Sequence, residues 1–150
     1  MARSPYYEYI QRYFPQQEWD RADCVSVSEC SPSRAGYPGD CIGQEVDGYS
    51  WGVFQVYDAV WEPRRNPNSP FSADIWDRRM DPNINTWVAS VIWSHGGWSQ
   101  WTTCAGCGGC GPGGVIPYPN GPIEDGTDGI VSSSGAAIAI ILLIGLMILK

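Results

Sequence analysis

The sequence predicts a mainly helical domain, followed by a linker and one transmembrane helix. Two stretches have the apolar spacing of helices that pack against a core, one over residues 16–30 and one that begins at Pro82. The third observation is an apolar run, IVSSSGAAIAIILLIGLMIL, which carries no charge over residues 130–149. The 150 residues of the chain suffice for one domain with a core and such an appendage.

The first predicted helix, over residues 16–30, places a lone carboxylate on its apolar side. Glu29 lies at helical spacing from the apolar residues before it, which are Trp19, Ala22 and Val25. Pro32 ends the helix, because the residue before a proline avoids the α region. Burial and the negative end of the helix dipole both disfavour a carboxylate, so we expect Glu29 to be protonated near neutral pH. Such an acid suits general acid catalysis, and a buried Glu with a purely structural role is the alternative.

The second predicted helix has a clear start and a clear stop. Asp81 is expected to cap it, and Pro82 is expected to be its first residue. A single apolar stripe runs along it, formed by Ile84, Trp87, Val88, Val91, Ile92 and His95. The pair Gly96-Gly97 ends the helix. His95, the only histidine of the chain, lies at the end of the stripe, where we expect a core or cleft-edge residue rather than a metal ligand.

Between the two helices, residues 47–61 combine a small polar motif with several aromatic side chains. The motif is Ser50-x-Gly52-x-x-Gln55, in which the glycine permits another group to approach the backbone closely. The aromatic side chains are those of Trp51, Phe54, Tyr57 and Trp61. We expect core packing to explain most of them, and the others offer flat faces on which a ligand could stack.

The charge of the chain argues against nucleic acid as a partner. The net charge is −7, and the only lysine is Lys150. Phosphate binding requires clusters of Lys and Arg, which an acidic chain of this kind does not provide. No apolar segment typical of a secretory signal follows Met1, so we expect export without such a signal or transport in a particle.

The carboxyl-terminal third of the sequence changes composition twice. Residues 105–129 are rich in Gly and Pro without helical or strand periodicity, which predicts a linker. Residues 130–149 are long enough to cross a bilayer as one helix, because about 20 residues span its apolar core. Acidic residues precede this run and Lys150 follows it, which weakly places the domain on the outer side of the membrane.

Six cysteines, an even number in a short chain, indicate disulfides and an oxidising compartment. Three of them fall within CAGCGGC, residues 104–110, and their two-residue spacing also suits zinc, although a fourth ligand would be needed. A cysteine amidase or peptidase is a further alternative. It would need a Cys–His pair, for which His95 supplies the only histidine.

These stretches, taken in order, resemble the lysozyme-like lytic transglycosylase domain of bacterial murein enzymes and phage tail proteins. A Glu that ends a helix stands in Glu-Cys-Ser, residues 29–31. The motif Ser-x-Gly-x-x-Gln follows at residues 50–55, and Asp-Pro-x-x-Asn opens a helix at residues 81–85. Gly-Trp-x-x-Trp closes the domain at residues 97–101. The similarity covers roughly residues 16–104, and it depends on the order and spacing of the motifs rather than on any one of them.

The resemblance implies an α+β, mainly helical, lysozyme-like fold for residues 1–104, with Glu29 as the catalytic acid. Ser50 and Gln55 would lie in the cleft, where they contact substrate or hold the loop. Trp51 and Tyr57 would be stacking platforms for sugars. No cofactor and no metal are implied. Beside this resemblance, the cysteine positions suggest three disulfides: Cys24–Cys104, Cys30–Cys41 and Cys107–Cys110.

The implied substrate is the β-1,4 bond between the MurNAc and GlcNAc sugars of peptidoglycan. In a lytic transglycosylase the substrate's own acetamido group or hydroxyl completes the reaction, and the product is a 1,6-anhydro sugar. A lysozyme-type hydrolase is the alternative, and it needs a second carboxylate. The candidates for that carboxylate are Asp40, Glu45 and Asp47.

A wall-cutting domain with a membrane span and no signal segment predicts a single-pass, membrane-anchored protein of a bacteriophage virion. Its location would be the virion membrane or the bacterial envelope, and it would open the wall locally during delivery of the genome. The expected partners are peptidoglycan, a lipid membrane through residues 130–149, and other virion proteins. A non-catalytic, glycan-binding structural protein of a membrane-containing particle is the alternative from another class.

Overall fold

The structure, a computed structural model, describes residues 3–29 and 50–124. These residues are mainly helical, with a single short hairpin among them, as the sequence predicts. The α-helices are α1 (Tyr7–Tyr13), α2 (Trp19–Glu29), α3 (Asp58–Trp61), α4 (Ala73–Asp77) and α5 (Pro82–Gly96). The antiparallel strands are β1 (Ser50–Trp51) and β2 (Val56–Tyr57). Three short 3-10 helices cover Gln16–Glu18, Gly97–Gln100 and Thr102–Cys107.

Both helices that the apolar spacing predicts are present. The first begins as the 3-10 turn Gln16–Glu18 and continues as α2, whose buried side includes Ala22, Val25 and Glu29. The second is α5, where the side chain of Asp81 accepts a hydrogen bond from the amide of Asn83 at 2.9 Å. The side chains of its predicted stripe are buried, except that of His95, which is exposed. The apolar faces of α2 and α5 both contribute to the core of the domain.

The core is built around an aromatic cluster at the meeting point of α1, α5 and the hairpin. The ring of Phe14 stacks on Trp98, with centroids 5.4 Å apart and planes at 14°, and on Phe54 at 5.7 Å. Trp93 and Trp101 pack against the same Trp98 ring at 6.1 and 5.4 Å. Aromatic pairs of this kind contribute beyond the apolar area that they bury. The tryptophan side chains of this cluster are therefore part of the hydrophobic core.

His95 lies at the protein surface, not in the core. It is exposed on the last turn of α5, and its Nδ1 lies 2.8 Å from the carbonyl oxygen of Val91. It borders a depression of about 230 Å³ that Val115 and Ile116 also line. Of the two expectations for this residue, the cleft-edge position is the one observed. The predicted stripe is therefore wrong at His95, which lies on the last turn of α5 before the helix ends at Gly97, where φ is 67°.

The disulfides differ from the expected pairing. Cys24 bonds to Cys107, and Cys104 bonds to Cys110, so the expected pairs Cys24–Cys104 and Cys107–Cys110 are wrong. The reason is a chain reversal after the last 3-10 helix, where Gly108 has φ 92° and the next glycine has φ 100°. This reversal brings residue 110 back to residue 104 and leaves Cys107 facing α2. With their sulfurs in disulfides, these cysteines have no thiolate for zinc. The expected pair Cys30–Cys41 lies outside the described residues.

Residues 108–124, here called the strap, run antiparallel along α5 without regular secondary structure. At the carboxyl end of α5, the amide of Trp98 donates a hydrogen bond to the carbonyl of Gly111 at 2.9 Å. Midway along the helix, Trp87 Nε1 donates to the carbonyl of Tyr118 at 2.8 Å. These bonds satisfy strap carbonyls that no helix or strand pairs.

At the amino end of α5 the strap is held by side chains from two helices. The hydroxyl of Tyr13 donates to Asn83 Oδ1 at 2.6 Å and accepts the amide of Ile123 at 2.9 Å. Asn83 Nδ2 donates to the carbonyl of Ile123 at 2.7 Å. Arg78 pairs with both carboxyl oxygens of Glu124, at 2.7 and 2.8 Å, and this contact raises the pKa of the guanidinium. The strap is therefore fixed along the whole length of α5.

The strap falls within the segment 105–129 for which composition predicts a linker. Its lack of helix and strand agrees with the composition, but it lies against the domain, so the packed part of the chain continues to Glu124. The predicted span at residues 130–149 lies outside the described residues. Within residues 3–29 and 50–124, the structure contains no helix that is long and apolar enough to cross a membrane.

The two described disulfides close loops of very different length, which predicts unequal contributions to stability. Their sequence separations are 83 residues for Cys24–Cys107 and 6 residues for Cys104–Cys110. In the chain-entropy account, replacing both cysteines of the long loop by Ser costs about 4 kcal/mol, and the same change in the short loop costs about 2 kcal/mol. Urea unfolding of the two double variants measures this difference. Equal losses would contradict the entropic explanation.

Removal of the Tyr13 hydroxyl should loosen the strap. In Tyr13→Phe the Ile123 amide and the Asn83 side chain each lose a partner, so we expect the free energy of unfolding to fall by about 1–3 kcal/mol. Hydrogen exchange at the Ile123 amide should accelerate more than exchange in α2. Tyr7→Phe, on the same helix, is the control. Unchanged protection of Ile123 would show that the hydroxyl does not hold the strap.

Candidate active site

Glu29 is the last residue of α2, and its side chain is buried, with 8% of its surface exposed. The hydroxyl of Thr103 donates a hydrogen bond to Glu29 Oε1 at 2.7 Å. Burial and a helix carboxyl end are the two conditions under which the sequence analysis expects a protonated acid, and both are present here. Glu29 is therefore held in a defined position by Thr103, a residue 74 positions later in the sequence.

The segment that carries Thr103 is clamped to α2. Its 3-10 helix, Thr102–Cys107, packs against α2, and the Cys24–Cys107 disulfide joins the two elements. The sulfur of Cys107 also lies 3.6 Å from the hydroxyl of Ser28, the neighbour of Glu29. These contacts hold Thr103 and Glu29 in register, so their hydrogen bond is part of a covalently closed unit.

The turn between β1 and β2 is held from inside by the buried side chain of Asn85. Its Nδ2 donates to the carbonyls of Trp51, at 3.1 Å, and Arg79, at 2.8 Å, while its Oδ1 accepts the amide of Phe54 at 2.9 Å. Gly52, with φ 75°, packs directly against the side-chain amide of Asn85. A Cβ at Gly52 would lie 2.1 Å from Asn85 Nδ2. The motifs Ser-x-Gly-x-x-Gln and Asp-Pro-x-x-Asn are therefore in contact, because Asn85 of the second packs against Gly52 of the first.

Gln55 ends this turn in a strained backbone conformation, with φ 48°. Its side-chain Nε2 donates to the carbonyl of Gly52 at 2.7 Å, which closes the turn on itself. Its Oε1 is buried, and no hydrogen-bond partner for it exists among the described residues. Gln55 also lines a small cavity of about 30 Å³, together with Tyr57, Trp61 and Trp101.

The other predicted site residues lie on the two strands. Ser50 and Tyr57 are cross-strand partners, and Tyr57 is 41% exposed at the cavity that Gln55 lines. The ring of Trp51 is covered by the guanidinium of Arg79 at 4.6 Å, and its Nε1 donates to Asp58 at 2.9 Å. Tyr57 thus presents the more accessible face for a sugar ring, and the stacking role of both residues stays a prediction.

The segment after α5 links the acid to the hairpin. Trp101 Nε1 donates to the carbonyl of Phe54 at 2.7 Å, and its ring lines the cavity beside Gln55. Two residues later, Thr103 donates to Glu29. One short stretch of chain therefore contacts both sides: Trp101 lies beside Gln55 and Tyr57 of the hairpin, and Thr103 contacts Glu29 of α2. Ser50 belongs to the hairpin side as the cross-strand partner of Tyr57.

Asp58 is a buried carboxylate that the sequence analysis does not single out. It accepts hydrogen bonds from the indoles of Trp51 and Trp76, at 2.9 and 3.0 Å, and its Oδ1 lies 3.0 Å from Arg79 Nε. Its charge is thus paired and its oxygens are occupied, which marks it as a structural anchor for the hairpin. Sequence spacing gave no signal for it, because its partners come from two separate segments, residue 51 and residues 76–79.

The candidates for a second carboxylate, Asp40, Glu45 and Asp47, lie outside the described residues. In the described part of the chain, no group of three His, Cys, Asp or Glu side chains is arranged to hold a metal ion.

The sequence matches no model of a protein family, and comparison with curated proteins gave no match either.

The close approach at Gly52 can be tested by adding one methyl group. In Gly52→Ala the new Cβ would collide with the Asn85 amide and would also have to adopt a left-handed φ, so we expect a loss of about 2 kcal/mol or more in unfolding free energy. Thermal unfolding measures it. Gly106→Ala is the matched control, because a Cβ at Gly106 meets nothing within 4 Å. A Gly52→Ala protein as stable as this control would contradict the arrangement.

Proposed function

We propose that this protein is a peptidoglycan lytic transglycosylase that cuts the MurNAc–GlcNAc β-1,4 bond, with Glu29 as its acid and base. The observation that carries the proposal is the position of Glu29. It is a buried carboxyl group at the carboxyl end of α2, hydrogen-bonded by Thr103. The same post-α5 segment contacts the hairpin that carries Ser50 and Gln55.

Two further features of the hairpin support a glycan as the ligand. Gln55 lines the small cavity, and side-chain amides are suitable partners for the amides and hydroxyls of amino sugars. Tyr57 offers a partly exposed ring at the same cavity. Polar groups beside an aromatic face are the usual elements of small-ligand recognition. The cavity itself is small, so the sugar would lie over its mouth.

In the proposed reaction, Glu29 gives its proton to the glycosidic oxygen as the bond from C1 of MurNAc to that oxygen breaks. GlcNAc leaves with a free hydroxyl. The electron-poor C1 is stabilised by the acetamido group of the same sugar. The C6 hydroxyl then attacks C1, and the Glu29 carboxylate accepts its proton, which closes the 1,6-anhydro ring. No water is consumed, and Glu29 returns to its protonated form.

This mechanism requires only one carboxyl group. Among the described residues, one of the two buried carboxyl groups is already paired with other side chains. The two buried ones are Glu29 and Asp58, and Asp58 is paired with Arg79 and two indoles. A hydrolase would need a second carboxylate near the sugar, and its candidates remain Asp40, Glu45 and Asp47.

The proposed setting is a phage virion membrane or the bacterial envelope. Residues 130–149 would anchor the domain, and local cleavage of the wall would open a path for the genome. The motivating features are the charge-free run of residues 130–149 and the wall-cutting site proposed above. The absence of the protein from purified virions would reject this setting while leaving the chemistry open.

The catalytic proposal is tested by mass spectrometry of the fragments that the full-length protein, in mild detergent, releases from purified peptidoglycan. We expect muropeptides with 1,6-anhydro ends, one water lighter than reducing ends, from the wild type. We expect a loss of about a thousandfold or more in release by Glu29→Gln, because the amide cannot give a proton. Asp23→Asn, an acid-to-amide change on the same helix, is the control.

The other outcomes distinguish the alternatives. Reducing ends from the wild type would indicate a hydrolase and direct attention to Asp40, Glu45 and Asp47. Full activity of Glu29→Gln would reject the assignment of the acid. Binding to peptidoglycan without release, by a folded protein, would favour a structural glycan-binding role.

A further inference from the structure

We propose that Thr103 is the positioning residue of the acid, which it holds through a hydrogen bond to Glu29 Oε1. This inference rests on the proposed function and adds a residue to it. Its basis is the contact in which Thr103 Oγ1 donates to Glu29 Oε1 at 2.7 Å.

The role of Thr103 follows from the change in charge that proton transfer brings to the carboxyl group. A protonated acid has one O–H donor and an acceptor oxygen. Transfer moves the proton of Glu29 to the glycosidic oxygen and leaves a negative charge shared by Oε1 and Oε2. The hydroxyl of Thr103 already donates to Oε1 at 2.7 Å, so it is in place to stabilise this charge.

Thr103 interacts more strongly with the product of this transfer than with the acid. A hydrogen bond to a charged group is stronger than one to a neutral group, so the bond to Oε1 strengthens as the proton leaves. Only interactions that strengthen toward the transition state raise the rate of the chemical step. Thr103 therefore favours kcat with little effect on substrate binding.

The surroundings of Thr103 are built to keep this geometry. The residue sits between two disulfides of its own segment, because Cys104 bonds to Cys110 and Cys107 bonds to Cys24 of α2. Trp101 fixes the start of the segment through the carbonyl of Phe54. Thr103 itself is half-buried, whereas its neighbour Thr102 is exposed. The neighbour thus provides an internal control of the same residue type.

The test compares three variants of the full-length protein: Thr103→Val, Thr103→Ser and Thr102→Val. Valine keeps the shape of threonine but has no hydroxyl, whereas serine keeps the hydroxyl. On soluble, uncrosslinked glycan strands we expect Thr103→Val to lower kcat about tenfold with KM unchanged. Thr103→Ser should keep most of the activity, and Thr102→Val should match the wild type. Thermal unfolding verifies that each variant is folded.

A second readout is independent of catalysis. The carboxyl C=O stretch of protonated Glu29, identified by its loss in Glu29→Gln, should shift to higher wavenumber in Thr103→Val and return in Thr103→Ser. If the wild type does not cleave glycan, the proposed function fails, and this band still decides whether Thr103 binds Oε1. An unshifted band, an unchanged kcat in Thr103→Val, or a failure of serine to restore both would overturn the inference.

Discussion

A buried peptide group must be hydrogen-bonded, and in the hairpin turn and the strap this domain meets that requirement largely through side chains. Its hairpin strands are only two residues long, and its strap has no regular structure at all. The missing partners come from amides, indoles and one phenol. Asn85 satisfies three backbone groups of the hairpin region, Trp101 satisfies Phe54, and Trp87 and Asn83 satisfy the strap. The fold of the hairpin turn and of the strap depends on these few donors and acceptors.

This constraint explains how the candidate site obtains a fixed geometry from so little sheet. The Asn85 amide sets the turn, the turn sets the backbone of Gln55, and Trp101 ties the turn to the segment that carries Thr103. That segment is bonded covalently to α2 through Cys107. A rigid surrounding shell of this kind is what allows an acid and its contacts to keep a productive arrangement. Helix α5 is the common support, since it supplies Asn85 and lies beneath the strap.

For the strap, amino-acid composition predicts one feature of the structure and not another. Gly and Pro predict the lack of helix and strand correctly, because they carry local backbone preferences. They do not predict whether the chain leaves the domain or lies on it. That choice depends on Tyr13, Asn83 and Trp87, which are distant in sequence and offer polar atoms along one line of the surface. The position of the strap also leaves few residues between Glu124 and the predicted span at residues 130–149.

The sequence by itself determined the features that depend on local spacing. These are α2 and α5, the caps of α5 and the burial of Glu29, because periodicity and cap chemistry act over a few residues. The tertiary structure alone decided the disulfide pairing, the surface position of His95, the role of Asp58 and the contact from Thr103 to Glu29. Each of these depends on the direction that the chain takes after a turn, or on partners from several segments. Two glycines with left-handed φ, for example, choose Cys110 rather than Cys24 as the partner of Cys104, and spacing contains no record of that reversal.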